Sequence, residues 1–63
     1  MLIVRDHSIV TFAAETGDEL AWLAGNTDAA AWQWQGDSLH VDARCAEAVF
    51  AGVRDAGFTW EVV

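Results

Sequence analysis

The chain has 63 residues, ten carboxylates and three basic side chains (Arg5, Arg44 and Arg54), with no Lys and a formal charge of −7. That length allows one small domain, residues 1–63. Area scaling puts the unfolded chain at roughly 9,900 Å² and the folded one at about 4,000 Å², so a large catalytic cavity is not expected. A single Cys excludes an internal disulfide, and no Cys/His quartet offers a structural zinc. The excess of acid disfavours direct contact with nucleic-acid phosphates or anionic lipid and points instead to a basic protein surface.

Residues 1–12 are rich in β-branched and aromatic side chains: Ile3, Val4, Ile9, Val10, Thr11 and Phe12. They favour extended structure, either a hairpin turning at Arg5-Asp6-His7-Ser8 or one bent strand. The apolar run Met1–Val4 is too short for a signal peptide or a membrane span. With the free Cys, this suggests a reducing cytosol.

Thr16-Gly17-Asp18-Glu19 matches a capping box, in which Thr16 accepts from the first turn while Glu19 reaches back. A short helix of about two turns should follow, with Leu20, Leu23 and Ala24 on one stripe and Gly25-Asn26 as the stop. Trp22 lies roughly 160° from the centre of that stripe, which predicts a partly exposed ring that can anchor a partner where it faces solvent.

Trp32 to Asp42 reads as a hairpin with Gly36-Asp37 in a type II′ turn. Trp34 then faces Leu39, Trp32 faces Val41 and Gln33 faces His40, dividing apolar from polar side chains. Asp42 can cap a longer helix from Ala43 to about Ala56, with Ala46, Val49, Phe50 and Val53 inward and Gly57 at its end. Phe58-Thr59-Trp60-Glu61-Val62 alternates as a final strand, with Phe58, Trp60 and Val62 inward.

These elements predict an α+β domain: a mostly antiparallel sheet with one short and one long helix packed on one face. The arrangement is ferredoxin-like βαββαβ, or a variant with an extra N-terminal hairpin strand. The uncovered face should carry Gln33, Gln35, His40, Asp42, Thr59 and Glu61.

Cys45 lies near a helix start, beside Arg44 and close to His40, features that lower a thiol pKa. No Gly-rich oxyanion loop accompanies it, so a small buried hydrophobe is the simpler reading. His40, Asp42 and Cys45 could ligate a metal, yet a strand position and a helix cap explain the first two without one. No cofactor and no enzymatic activity are expected. Trp22, Trp32, Trp34 and Trp60 lack the basic groove that stacking sites for single strands require, and three of them are expected in the core.

The carboxylates remain. They are dispersed over caps, turns and outward faces, and the ones favoured for partner binding form three groups. Glu15, Asp18 and Glu19, with Asp28 near, surround the first helix start; Asp42 and Glu61, flanked by Asp37, belong to the open sheet face; Glu47 and Asp55 lie on the long helix. Spread carboxylates on a rigid domain can mimic phosphates before a nucleic-acid-binding cleft, with fast, salt-sensitive association.

On Glu15–Glu19, Trp32–Asp37 and Asp42–Gly57, together with its size and charge, the chain resembles the small phage-encoded anti-CRISPR proteins. It is similar in particular to the acidic inhibitors of type I systems. That resemblance implies a stoichiometric cytosolic inhibitor, monomeric and not an enzyme, that binds a Cas protein and covers the DNA- or PAM-binding surface of Cascade. It carries over no individual residue. Two other readings stand beside it: an antitoxin or immunity protein facing a basic toxin, and a structural phage or complex subunit held by its sheet edge and Trp22.

Overall fold

A computed structural model describes all of residues 1–63. Strands β1 (Leu2–Asp6) and β2 (Ile9–Ala13) form the N-terminal hairpin, followed by helix α1 (Gly17–Asn26) and a single 3-10 turn at Ala31–Gln33. Strands β3 (Trp34–Gln35) and β4 (Ser38–Asp42), helix α2 (Ala43–Asp55) and strand β5 (Glu61–Val62) complete the chain. The five strands make one sheet in the order β3-β4-β2-β1-β5, antiparallel except where β5 runs parallel to β1. Without β1 the order is that of a ferredoxin-like sheet. The N-terminal hairpin adds β1 between β2 and the last strand, so the variant with the extra hairpin strand is the one observed.

Local chemistry explains both hairpins. Gly36 has φ 60° and Asp37 does not share the positive φ, as a type II′ turn demands, and Trp34 pairs with Leu39 in the predicted register. The first hairpin turns through His7-Ser8, with Asp6 opposite Ile9. There His7 holds φ 56°, a left-handed conformation that costs an L residue with a side chain about 1–2 kcal/mol.

Both helix caps are local as well. The Glu19 N–H donates to Thr16 Oγ1 (3.1 Å), and the Arg44 N–H donates to Asp42 Oδ1 (2.8 Å). At its C-terminal end α1 runs through Gly25 and Asn26 and stops at extended Thr27, whose hydroxyl donates to the Leu23 carbonyl (2.6 Å). Helix α2 ends before Gly57, whose φ of 86° turns the chain back.

The core lies between the sheet and the two helices. Ile3, Val10, Phe12, Leu39 and Val41 come from one face of the sheet; Leu23, Ala46 and Val53 come from the helices, and Met1 closes one end. Phe12, Leu23, Leu39 and Val53 are fully buried. The total exposed surface of 4165 Å² agrees with that of a compact chain of this mass.

Three expectations of burial are corrected. Trp32 does not pair with Val41: β3 is only two residues long, the 3-10 turn lifts Trp32 off the sheet, and its ring is 84% exposed. The inward side of α1 runs through Glu19, Trp22 and Leu23 where Leu20, Leu23 and Ala24 were expected, so Ala24 is exposed, while Trp22, expected to be partly exposed, is half-buried and packs on the core. The final strand is confined to Glu61–Val62, so Phe58 packs edge-on against Trp22 (centroids 6.1 Å) while Trp60, edge-on to Phe50 (4.9 Å), and Val62 stay exposed.

Candidate carboxylate surface and open sheet face

Of the ten carboxylates, Glu19 is the one that folding removes from the surface. Its residue is 5% exposed, and its side chain accepts from the Glu15 N–H (2.7 Å) and from the α-amine of Met1 (2.9 Å). The reach-back of the capping box therefore lands one residue before the cap, and its second oxygen closes on the chain start. The hydrogen bond from the Glu15 N–H, aided by the nearby amine, outweighs burial and holds the Glu19 carboxyl below its ordinary range. Burial opposes charge on the amine, yet the hydrogen bonds to Glu19 and Glu15 prevail and raise its pKa. Glu19 is thus an internal ion-pair partner, not part of a docking patch. Glu15, 3.0 Å from the same amine, keeps its side chain 63% exposed.

The other carboxylates differ in what they face. Asp42 accepts from Arg44 Nε (3.0 Å), and the guanidinium beside it holds its carboxyl below the usual range. Arg54 Nε lies 3.4 Å from Asp55, and His7 Nε2 lies 3.8 Å from Asp6. Asp18, Asp28, Asp37, Glu47 and Glu61 are exposed and make no ion pair. They are distributed around the domain: Asp18 in the first turn of α1, Asp28 after that helix, Asp37 in the β3–β4 turn, Glu47 on α2 and Glu61 on β5. Two of the three guanidiniums are thus occupied by neighbouring carboxylates, and the surface offers no basic patch to a polyanion.

Residues named for catalysis or metal binding fall on two sides of the sheet. Cys45 is exposed and lines a groove of about 580 Å³ with Trp22, Asp28, Asp42, Val49 and Gly52. His40 lies on the other face, where its Nδ1 shares a 2.8 Å hydrogen bond with the Thr11 hydroxyl. His40, Asp42 and Cys45 therefore do not converge, and no three His, Cys, Asp or Glu side chains form a group able to hold a metal ion. No Cys–His dyad exists for nucleophilic chemistry. A second groove, about 380 Å³, lies between α2 and the sheet and is lined by Ile3, Val10, Phe12, Phe50 and Val62, with Arg5 and Glu47 at its polar positions.

The sheet face away from the helices is only partly the polar surface expected. Register sets its side chains in three rungs: Glu61, Leu2, Ala13, Ser38 and Gln35; then Val4, Thr11 and His40; then Asp6, Ile9 and Asp42. Gln33 is absent from it, held in the 3-10 turn with its side chain donating to the His40 carbonyl (3.2 Å). Thr59 precedes β5 and contributes its carbonyl to the Met1 amine (3.0 Å). The signal for the apolar centre was present in the sequence as Leu2, Val4, Ile9 and Ala13, but only the strand order shows that nothing covers them.

No helix is long and apolar enough to cross a membrane. No protein-family model, curated protein or solved structure matches this chain.

Proposed function

We propose that this domain acts by binding, as an acidic inhibitor that covers the basic nucleic-acid-binding surface of another protein. The observation that carries this reading is the distribution of the unpaired carboxylates. Asp18, Asp28, Asp37, Glu47 and Glu61 are exposed without a cation, while Arg44 and Arg54 are engaged by Asp42 and Asp55. A rigid domain with that surface presents negative charge at separated points, which favours steered encounter with a cationic cleft. From the resemblance stated above, the DNA- or PAM-binding surface of type I Cascade is the first partner to test.

The test is competition for duplex DNA on purified Cascade, followed by fluorescence anisotropy at increasing salt. The reading expects DNA release by the protein, with potency falling at least tenfold between 0.1 and 0.5 M salt because surface charge is screened. The quadruple substitution Asp18→Asn, Asp28→Asn, Glu47→Gln, Glu61→Gln should lower potency similarly. Binding that persists unchanged through 1 M salt, where the Debye length is about 3 Å, would overturn it.

A second reading has its own observation. Trp32, Trp60, Val62 and Val63 are exposed large hydrophobic residues near the two edges of the sheet. They suit a structural subunit held by apolar edges. Assembly insensitive to salt and lost on Trp32→Ala would favour it.

A further inference from the structure

We infer that the open sheet face is a docking site for one basic amphipathic helix of a partner protein. This rests on the reading above that the domain binds a cationic surface, and it places that surface. Leu2 and Val4 on β1 and Ile9 and Ala13 on β2 form an apolar patch two strands wide, with half-buried Thr11 set within it between Ile9 and Ala13 and half-buried His40 beside it on β4. Neither helix of the chain covers it, since both pack on the face that buries Ile3, Val10, Phe12, Leu39 and Val41. Adjacent strands lie about 4.8 Å apart, so the patch matches the roughly 10 Å width of a single helix.

The rim selects the charge of the occupant. Glu61 ends the first rung, and Asp6 and Asp42 bracket Ile9 on the third. No Lys or Arg lies on these rungs; Arg44, next to them at the start of α2, pairs with Asp42, so Asp6 and Glu61 are the rim carboxylates without a guanidinium partner. Arg5 alternates to the helix side, where it lines the groove beneath α2. A second copy of this chain would bring another −7 and the same acidic rim against it, which disfavours self-docking. An anionic membrane or nucleic acid is repelled by the same rim. A helix with an apolar stripe flanked by Lys or Arg satisfies both the patch and its border. Such contact combines salt-sensitive and salt-resistant parts, unlike a surface of carboxylates alone.

The test is selection of a random 18-residue displayed peptide library on the intact protein, with each enriched peptide mapped by amide shifts on ¹⁵N-labelled protein. The expected peptides carry apolar residues at helical spacing with at least three Lys or Arg. Their shifts should concentrate on Leu2, Val4, Ile9, Thr11, Ala13 and His40. Ile9→Lys, at a position already 40% exposed, should weaken those peptides at least tenfold with an unchanged urea midpoint. As a check independent of that variant, Asp6→Asn with Glu61→Gln should weaken them at 0.1 M salt and much less at 0.5 M.

Basic peptides that instead shift Asp18, Asp28 and Glu47 overturn the docking site while the acidic-surface reading stands. Peptides without Lys or Arg overturn both. Concentration-dependent shifts on the same amides without peptide, reporting self-association, also overturn the inference.

Discussion

The indole of Trp22 lies against Gly52, so close that a Cβ there would stand 2.8 Å from Cη2 and 2.9 Å from Cζ2 of the ring. This contact joins α1 to α2 and holds the half-buried Trp22 ring against the core. Gly52 sits inside α2, where glycine ordinarily costs about 1 kcal/mol relative to alanine. Gly52→Ala should nevertheless lower stability by about 1 kcal/mol, because an overpacking cost of roughly 1–3 kcal/mol exceeds the gain in helix propensity. Gly25→Ala on exposed α1, with nothing within 4 Å, should raise stability by about 0.5–1 kcal/mol. Urea unfolding of both variants reads the opposite signs, and equal signs would refute the packing argument.

The Met1 amine and Glu19 predict a pH window. The amine's pKa is raised above its ordinary 8.0, so its contribution is full below 8.0 and lost as pH rises through the folded value. Glu19's pKa is lowered below 4.5, so its contribution is present above 4.5 and lost as pH falls through the folded value. Stability should therefore form a plateau between about pH 4.5 and 8. Glu19→Gln should cost about 2–3 kcal/mol within that window, since the amine keeps only the exposed Glu15 as a carboxylate partner. Thermal unfolding across pH 3–10 checks this; a Glu19→Gln protein with an unaltered profile would contradict it.

His7 carries the positive φ that a glycine would adopt freely. Its side chain is exposed, with Nε2 3.8 Å from Asp6, so little packing is lost on removing it. His7→Gly should raise stability by about 1 kcal/mol, less the greater flexibility of glycine in the unfolded chain. A lower urea midpoint would show that the turn relaxes differently.

Trp32, exposed against expectation, and half-buried Trp22 separate cleanly by substitution. Trp32→Ala should change stability by less than about 0.5 kcal/mol, because the ring is 84% exposed. Trp22→Ala should cost about 3 kcal/mol or more, since it removes the contacts to Gly52 and Phe58 together. For a domain whose whole stability is roughly 3–9 kcal/mol, circular dichroism should show Trp22→Ala partly unfolded at 37 °C and Trp32→Ala folded.

Much of the local structure was legible from neighbouring residues. Gly36-Asp37 set the turn and register of β3 and β4, Thr16 and Asp42 capped the helices, and Ala46, Val49, Phe50 and Val53 marked the inward side of α2. Each depends on contacts within a few positions, so short-range stereochemistry suffices. The candidate surface was less legible. Exposure of Asp18, Asp28 and Glu47 followed from their polarity, but Glu19 looked the same in sequence and is buried.

Local conformational preference and simple composition account for the elements from α1 onward, the helix N-caps, the β3–β4 turn and the excess of negative charge, but they left residues 1–12 open between a hairpin and one bent strand. Tertiary structure decided the rest. Inserting β1 between β2 and β5 left Leu2, Val4, Ile9 and Ala13 on an uncovered face. Closing Glu19 on Met1, eighteen residues away, accompanies an orientation of α1 in which the half-buried Trp22 ring packs on Gly52. Such outcomes depend on which distant surfaces can be buried together, and a one-dimensional hydrophobic pattern does not contain that choice.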